Sequence, residues 1–147
     1  MYDAILVPTD GSDQSEMAAK HAMDLAEQFE TTVHALFVVE QTGPSGHWDF
    51  AVEDQETAGE AALDAVVELG EARGVEVVPH LRRGAPSEAI VDAAVEYGAD
   101  LIIMGTQGRT GLSRIATAGS TTERVVRLTA VPTLVVGGAG VGTQVET

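Results

Sequence analysis

The 147-residue chain contains no cysteine and a single lysine, Lys20. The first absence excludes disulfides and thiolate metal sites, and says nothing of compartment. The second stands against 23 acidic residues, and the net charge is −15. Nucleic acid and anionic membrane both bind through cationic neutralisation, so neither is an expected partner. A lysine-poor, carboxylate-rich surface resembles that of proteins from salt-loving organisms, where screening weakens self-repulsion. No apolar run approaches the roughly 20 residues of a membrane span. The start, MYDAILVPTDGSD, has an acid where a secretory signal carries basic residues, so a cytoplasmic location is expected. The histidines His21, His34, His47 and His80 show no ligand spacing and are expected to be structural or exposed. Catalytic signatures are missing too: Ser12 lies in no G-x-S-x-G elbow, and no Gly-Lys-Ser/Thr phosphate loop occurs.

What the chain does have is concentrated in Gly105–Ser120, GTQGRTGLSRIATAGS, fed by the apolar run Leu101–Met104. Four apolar residues with two adjacent isoleucines suit a strand buried on both faces. Glycines at 105, 108, 111 and 119 let a backbone come close to a ligand and cradle an anion with free N–H groups. Ser120 and Glu123 form a capping-box pattern, so the loop opens a helix, a good place for phosphate. Charge agrees. From Gly105 to Arg127 there are four arginines (Arg109, Arg114, Arg124, Arg127) and one acid, Glu123, making this window +3 and the remainder −18. Solvated arginines around an ordinary glycine loop would give the same pattern.

Periodicity predicts one domain over residues 1–147, built from five strands alternating with helices. Strands are expected at Ala4–Val7, Thr32–Val39, Val75–Leu81, Asp100–Met104 and Pro132–Val136. Helices are expected at Asp13–Glu30, where Met17, Ala18, His21, Ala22, Leu25 and Phe29 recur at helical spacing, and at Phe50–Arg73, with Val52, Ala58, Ala62, Val66 and Leu69 on one side. Two more run from Pro86 to Tyr97 and from Ser120 to Leu128. Glu40–Asp49 is turn-forming, Arg82–Ala85 a loop, and 138–147 a glycine-rich tail expected to fray. Such alternation predicts a doubly wound α/β parallel sheet with helices on both faces. In the order 3-2-1-4-5, the loops after strands 1 and 4 flank one crevice. Asp10 could then meet ribose hydroxyls, or simply cap the helix that follows. The glycine loop would take phosphates and the end of strand 2 a base edge.

With those residues placed, the chain resembles the universal stress protein family over Tyr2–Gly137. ILVPTDGS, RRGAPSEAIVDAA, DLIIMGTQGRTGL and GSTTERVVRLTAVPTLVV carry the likeness in the right order. The resemblance implies an adenine nucleotide α-hydrolase-like fold, a homodimer through the last strand (Thr133–Val136) and, in one branch, ATP with Mg²⁺ in the crevice. It further implies ribose at Asp10, adenine at the Val38 backbone, and phosphates at Gly105, Gly108, Gly119 and Ser120. With the adjoining Pro8, Thr9, Met104, Arg109 and Thr121, these make up the candidate nucleotide site; AMP or another adenylate would fit the same pattern. The family's ATP-binding branch places nine residues between the second and third glycines. Here ten separate Gly108 from Gly119, and Gln107 stands where histidine is usual. An interaction protein of the same fold without nucleotide is therefore the alternative. An adenylating ligase ranks lower, because Thr9-Asp10-Gly11-Ser12 is no serine-glycine-glycine loop.

Overall fold

The computed structural model describes residues 2–40, 48–106 and 121–137, with the backbone alone for 48–52. The glycine arc beyond Thr106, most of the turn-forming segment (41–47) and the tail 138–147 lie outside the described residues. Nine elements alternate: β1 (Ala4–Pro8), α1 (Asp13–Phe29), β2 (Thr32–Val39), α2 (Trp48–Arg73), β3 (Val77–Arg83), α3 (Pro86–Glu96), β4 (Leu101–Gly105), α4 (Thr121–Leu128) and β5 (Thr133–Val136). Every pairing is parallel and the sheet order is β3-β2-β1-β4-β5, as expected.

Alternation along the central strands builds two layers. Ile5 and Val7 of β1, with Val33, Ala35 and Phe37 of β2, face α1 and α2. Leu6, Leu36, Ile102 and Met104 point the other way, against Ile90 and Ala93 of α3 and Val125 of α4. Burying one such aliphatic side chain contributes roughly 1.5–3 kcal/mol. The completely buried Ile5, Leu6 and Val7 therefore tie β1 into both layers.

Three expectations are corrected. On α1 the buried stripe is Ser15, Ala18, Ala19, Ala22, Met23 and Ala26. Met17 and Phe29 are 40% and 43% exposed, and His21 is exposed as well. Alanines let the helix lie close on the sheet, and bulkier residues at the same spacing are displaced to the flank. On α2 the expected Val66 is buried and Ala62 and Leu69 pack against the core, but Ala58 is exposed and Gly59, Leu63 and Gly70 are buried instead. A Cβ on Gly59 would stand 2.6 Å from the Phe37 ring, and one on Gly70 2.4 Å from Val77. Finally, β3 begins two residues later than expected and runs through Arg82 and Arg83. There Arg82 pairs with Glu96 and Arg83 with Glu56.

Two of the histidines are indeed structural. His34 of β2 and His80 of β3 approach at 2.9 Å, Nδ1 to Nε2, so one ring donates and the other accepts. Tyr97 stacks on His80 at 3.9 Å between centroids, and Arg82 Nε donates to Tyr97 Oη at 3.1 Å. Burial lowers the pKa of His34 against the opposing pull of Glu76. Burial first, then the neighbouring His34 and Arg82, lowers that of His80, with Glu96 opposing. A base whose folded pKa lies below its unfolded value favours folding most where it is neutral in both states. The stability it contributes is thus complete above about pH 6.5 and declines as acid protonates the unfolded chain first. Urea midpoints should be level from pH 8 to 6.5 and fall toward pH 5. In a His34→Gln, His80→Gln chain that fall should be shallower; equal slopes would remove the pair as its cause.

Candidate functional site

Where β1 ends, the chain bends over a compact turn before α1. Asp10 Oδ1 accepts from Ser12 N at 2.9 Å, and Thr9 Oγ1 accepts from Gly11 N at 3.1 Å. The N-cap of α1 is Ser12, whose hydroxyl accepts from Ser15 N. The capping alternative for Asp10 is thereby set aside, and its second carboxylate oxygen takes part in none of the bonds observed among the described residues.

Deeper in, two hydroxyls are almost wholly buried, Thr9 at 8% and Ser15 at 6% exposure. Ser15 donates to the Ser12 carbonyl at 2.9 Å. Its proton is thus committed, and the 3.0 Å contact between Thr9 and Ser15 has Thr9 as donor. Ser15 also accepts from Ser12 Oγ at 3.4 Å, so its lone pairs are taken, whereas Thr9, which accepts from Gly11 N, keeps one lone pair. Thr9 Oγ1 and the Asp10 carboxylate make an acceptor-lined wall, with Ser15 holding Thr9 in place, and such a wall favours a ligand's hydroxyl groups and disfavours its phosphates.

That wall forms one side of a cavity of about 370 Å³ at the carboxyl ends of β1, β2 and β4. The same cavity is lined by Thr121 and Thr122, where α4 begins, its first-turn N–H groups forming the positive end of the helix. Thr122 Oγ1 donates to the Gly105 carbonyl at 2.7 Å and ties α4 to the end of β4. Leu36, Val38 and Met104 enclose the cavity from the sheet, Pro86 and Ile90 from α3, and Gln55 and Ala58 from α2. On β2, residues of even number turn their amides toward β1, as the bond from Thr9 N to Leu36 O (2.8 Å) shows. The next in line is Val38, but β1 has already turned away at Pro8, so the Val38 N–H and C=O face the gap. Among the described residues no group of three or more His, Asp or Glu is arranged to hold a metal ion.

Seven of the expected site residues line this one cavity: Pro8, Thr9, Asp10, Val38, Met104, Gly105 and Thr121. Gly108, Arg109, Gly119 and Ser120 lie outside the described residues. Gly105 has a second constraint that its spacing did not suggest, for a Cβ there would stand 2.8 Å from the Gln14 carbonyl oxygen of α1. Arg82 and Arg83 do not line the cavity and are ion-paired with Glu96 and Glu56. Sequence reasoning missed Ser15, Thr122, Gln55, Glu40, Pro86 and Ile90. Thr122 sits inside the capping-box pattern that pointed to its neighbour, whereas Gln55 carries no local signal at all.

The family model for "Universal stress protein family" matches residues 1–137. The chain belongs to this family. Curated universal stress proteins of Methanocaldococcus jannaschii are similar to it: MJ0531 is 40% identical over 92% of this chain and 82% of its own length. A second, MJ0577, is 31% identical over 92% and 95%. The solved structure of MJ0577 superposes with a TM-score of 0.80 at 33% identity, covering 96% of this chain and 99% of that one. A universal stress protein solved in complex with cAMP has a TM-score of 0.74 at 24% identity over 92% and 97%, a likeness of fold. Universal stress proteins thus share this fold. No helix among the described residues of this one is long and apolar enough to cross a membrane.

Proposed function

We propose that the chain binds ATP or a related adenine nucleotide, such as AMP, in the cavity between β1 and β4, and that binding rather than turnover is its role in a stress response. One observation carries this reading: the acceptors of Asp10 and Thr9 and the first turn of α4 line a single cavity. A nucleotide has the complementary polarity, with hydroxyl donors on its sugar and negative charge on its phosphates. The open Val38 amide supplies a donor and an acceptor for a base edge, and Ile90 and Leu36 an apolar surface beside it. The volume falls within the roughly 300–1,000 Å³ of small-molecule sites. Mg²⁺ would enter with the phosphates and neutralise part of their charge near a strongly acidic chain.

The proposal includes a homodimer through β5. That strand is an edge of the sheet, and Leu134 and Val135 on it are 40% and 38% exposed. It also places the protein in the cytoplasm of an organism living at high salt, in keeping with the charge of −15.

Calorimetric titration with ATP-Mg²⁺ and with AMP at high salt tests the reading. Saturable heat is expected; neither heat nor nucleotide carried through purification would overturn it. The second reading, a nucleotide-free interaction protein, is favoured by the ten-residue arc and Gln107. It would prevail if affinity appeared only after one residue between Arg114 and Ala118 was deleted.

A further inference from the structure

We infer that Gln55 is a positioning residue for the nucleobase: it fixes the end of β2 so that the Val38 amide is held ready for the base edge. The inference rests on the nucleotide reading above and assigns a role on α2 that neither the fold nor any motif indicates. Gln55 Oε1 accepts from Glu40 N at 2.8 Å, and Gln55 Nε2 donates to Glu40 O at 3.1 Å. One carboxamide thus satisfies both backbone groups of a single residue, the geometry by which an amide side chain stands in for a neighbouring strand.

Its location gives this clamp a purpose. Past Pro8, β2 has lost its β1 partner on one side. On the other side the last support from β3 is the bond from Gly84 N to Val39 O, at 2.9 Å. Residues 38–40 would otherwise be a strand end held at one edge only. With the clamp, Val39 is fixed by β3 and Glu40 by α2, and Val38 between them has no freedom to swing its N–H and C=O from the cavity. The Glu40 backbone, being already paired, cannot compete with Val38 for the base. Holding recognition groups in place before the ligand arrives removes an ordering cost from binding. The clamp touches only the base side, because the phosphate side is built by α4 and the end of β4.

The test compares ATP, adenosine and inorganic tripolyphosphate on wild-type, Gln55→Leu and Gln55→Glu chains, each checked by urea unfolding. Gln55→Leu removes both bonds and should weaken ATP and adenosine alike by about 5–20-fold. Tripolyphosphate affinity should stay within about twofold on the same reasoning. Gln55→Glu keeps the acceptor for Glu40 N–H and should fall between the two. Exchange of the Glu40 amide hydrogen, read without any ligand, should quicken in Gln55→Leu. Unchanged adenosine affinity, an equal loss for tripolyphosphate, or an unchanged Glu40 exchange rate would each overturn the inference. A wild-type chain that binds none of the three probes would instead refute the nucleotide reading, and the role of Gln55 with it.

Discussion

Gly105→Ala should destabilise the fold by about 1–3 kcal/mol, the usual cost of overpacking, and lower the thermal midpoint by roughly 3–10 °C for a domain of this size. The added Cβ would lie 2.8 Å from the Gln14 carbonyl oxygen, 2.9 Å from its carbonyl carbon and 2.9 Å from its Cβ. Two of those atoms are backbone within the first turn of α1, so no side-chain rotation relieves the contact. Either β4 or the start of α1 must move. Gly59→Ala provides the contrast, because there the nearest atoms belong to the Phe37 ring, which can shift. The consequence extends to the site. The start of α1 carries Ser12 and Ser15, and the Gly105 carbonyl receives Thr122, so a displacement spreads both walls of the cavity. Differential scanning calorimetry on both variants checks the order; a Gly105→Ala chain as stable as wild type would show that α1 yields freely.

This same glycine illustrates what could be read from the chain alone. The strand order followed from alternation and from the need to bring two ligand-bearing loops to one crevice, and the structure has that order. Strand and helix positions were legible because apolar periodicity is a local signal. Which face of α1 is inward was not, since hydrophobicity favours Met17 and Phe29 while close approach favours Ala18, Ala19 and Ala22. The first arises from composition and the second from what the helix meets across space. The extension of β3 into Arg82 and Arg83 has a similar cause. Arginine near Gly84 reads as loop, yet Glu56, Glu96 and Tyr97, distant in sequence, supply partners that keep both side chains on a strand. At the site, residues with ligand chemistry in a loop were legible, as Asp10 and Thr9 show. Ser15, Ile90 and Gln55 were not, because their contribution is a position in the fold rather than a motif.

Asp10→Ala should weaken adenine nucleotide binding by about 10–100-fold, the loss expected when hydrogen bonds to a charged group are removed. The sign of this effect decides more than its size. Asp10 is a carboxylate on a chain of charge −15, and deleting it near an anionic ligand would tighten binding if long-range repulsion were all that it contributed. A loss therefore requires that Asp10 meet donors on the ligand, and the ribose hydroxyls are the donors a nucleotide offers. Asp10→Asn separates that contact from the turn itself. Its side-chain oxygen can still accept from Ser12 N, now at 2.9 Å to Oδ1, so the turn persists while the charge is lost. An intermediate loss of roughly 3–10-fold is expected for the weaker neutral bond. The decisive comparison uses 2′-deoxy and 3′-deoxy nucleotides. Wild-type chain should discriminate against at least one of them, and Asp10→Ala should not, because the group that reads the missing hydroxyl is gone. Were Asp10→Ala to bind nucleotide more tightly, or to retain full preference for the ribose form, the acceptor wall would have another purpose and the ligand would lie the other way round in the crevice.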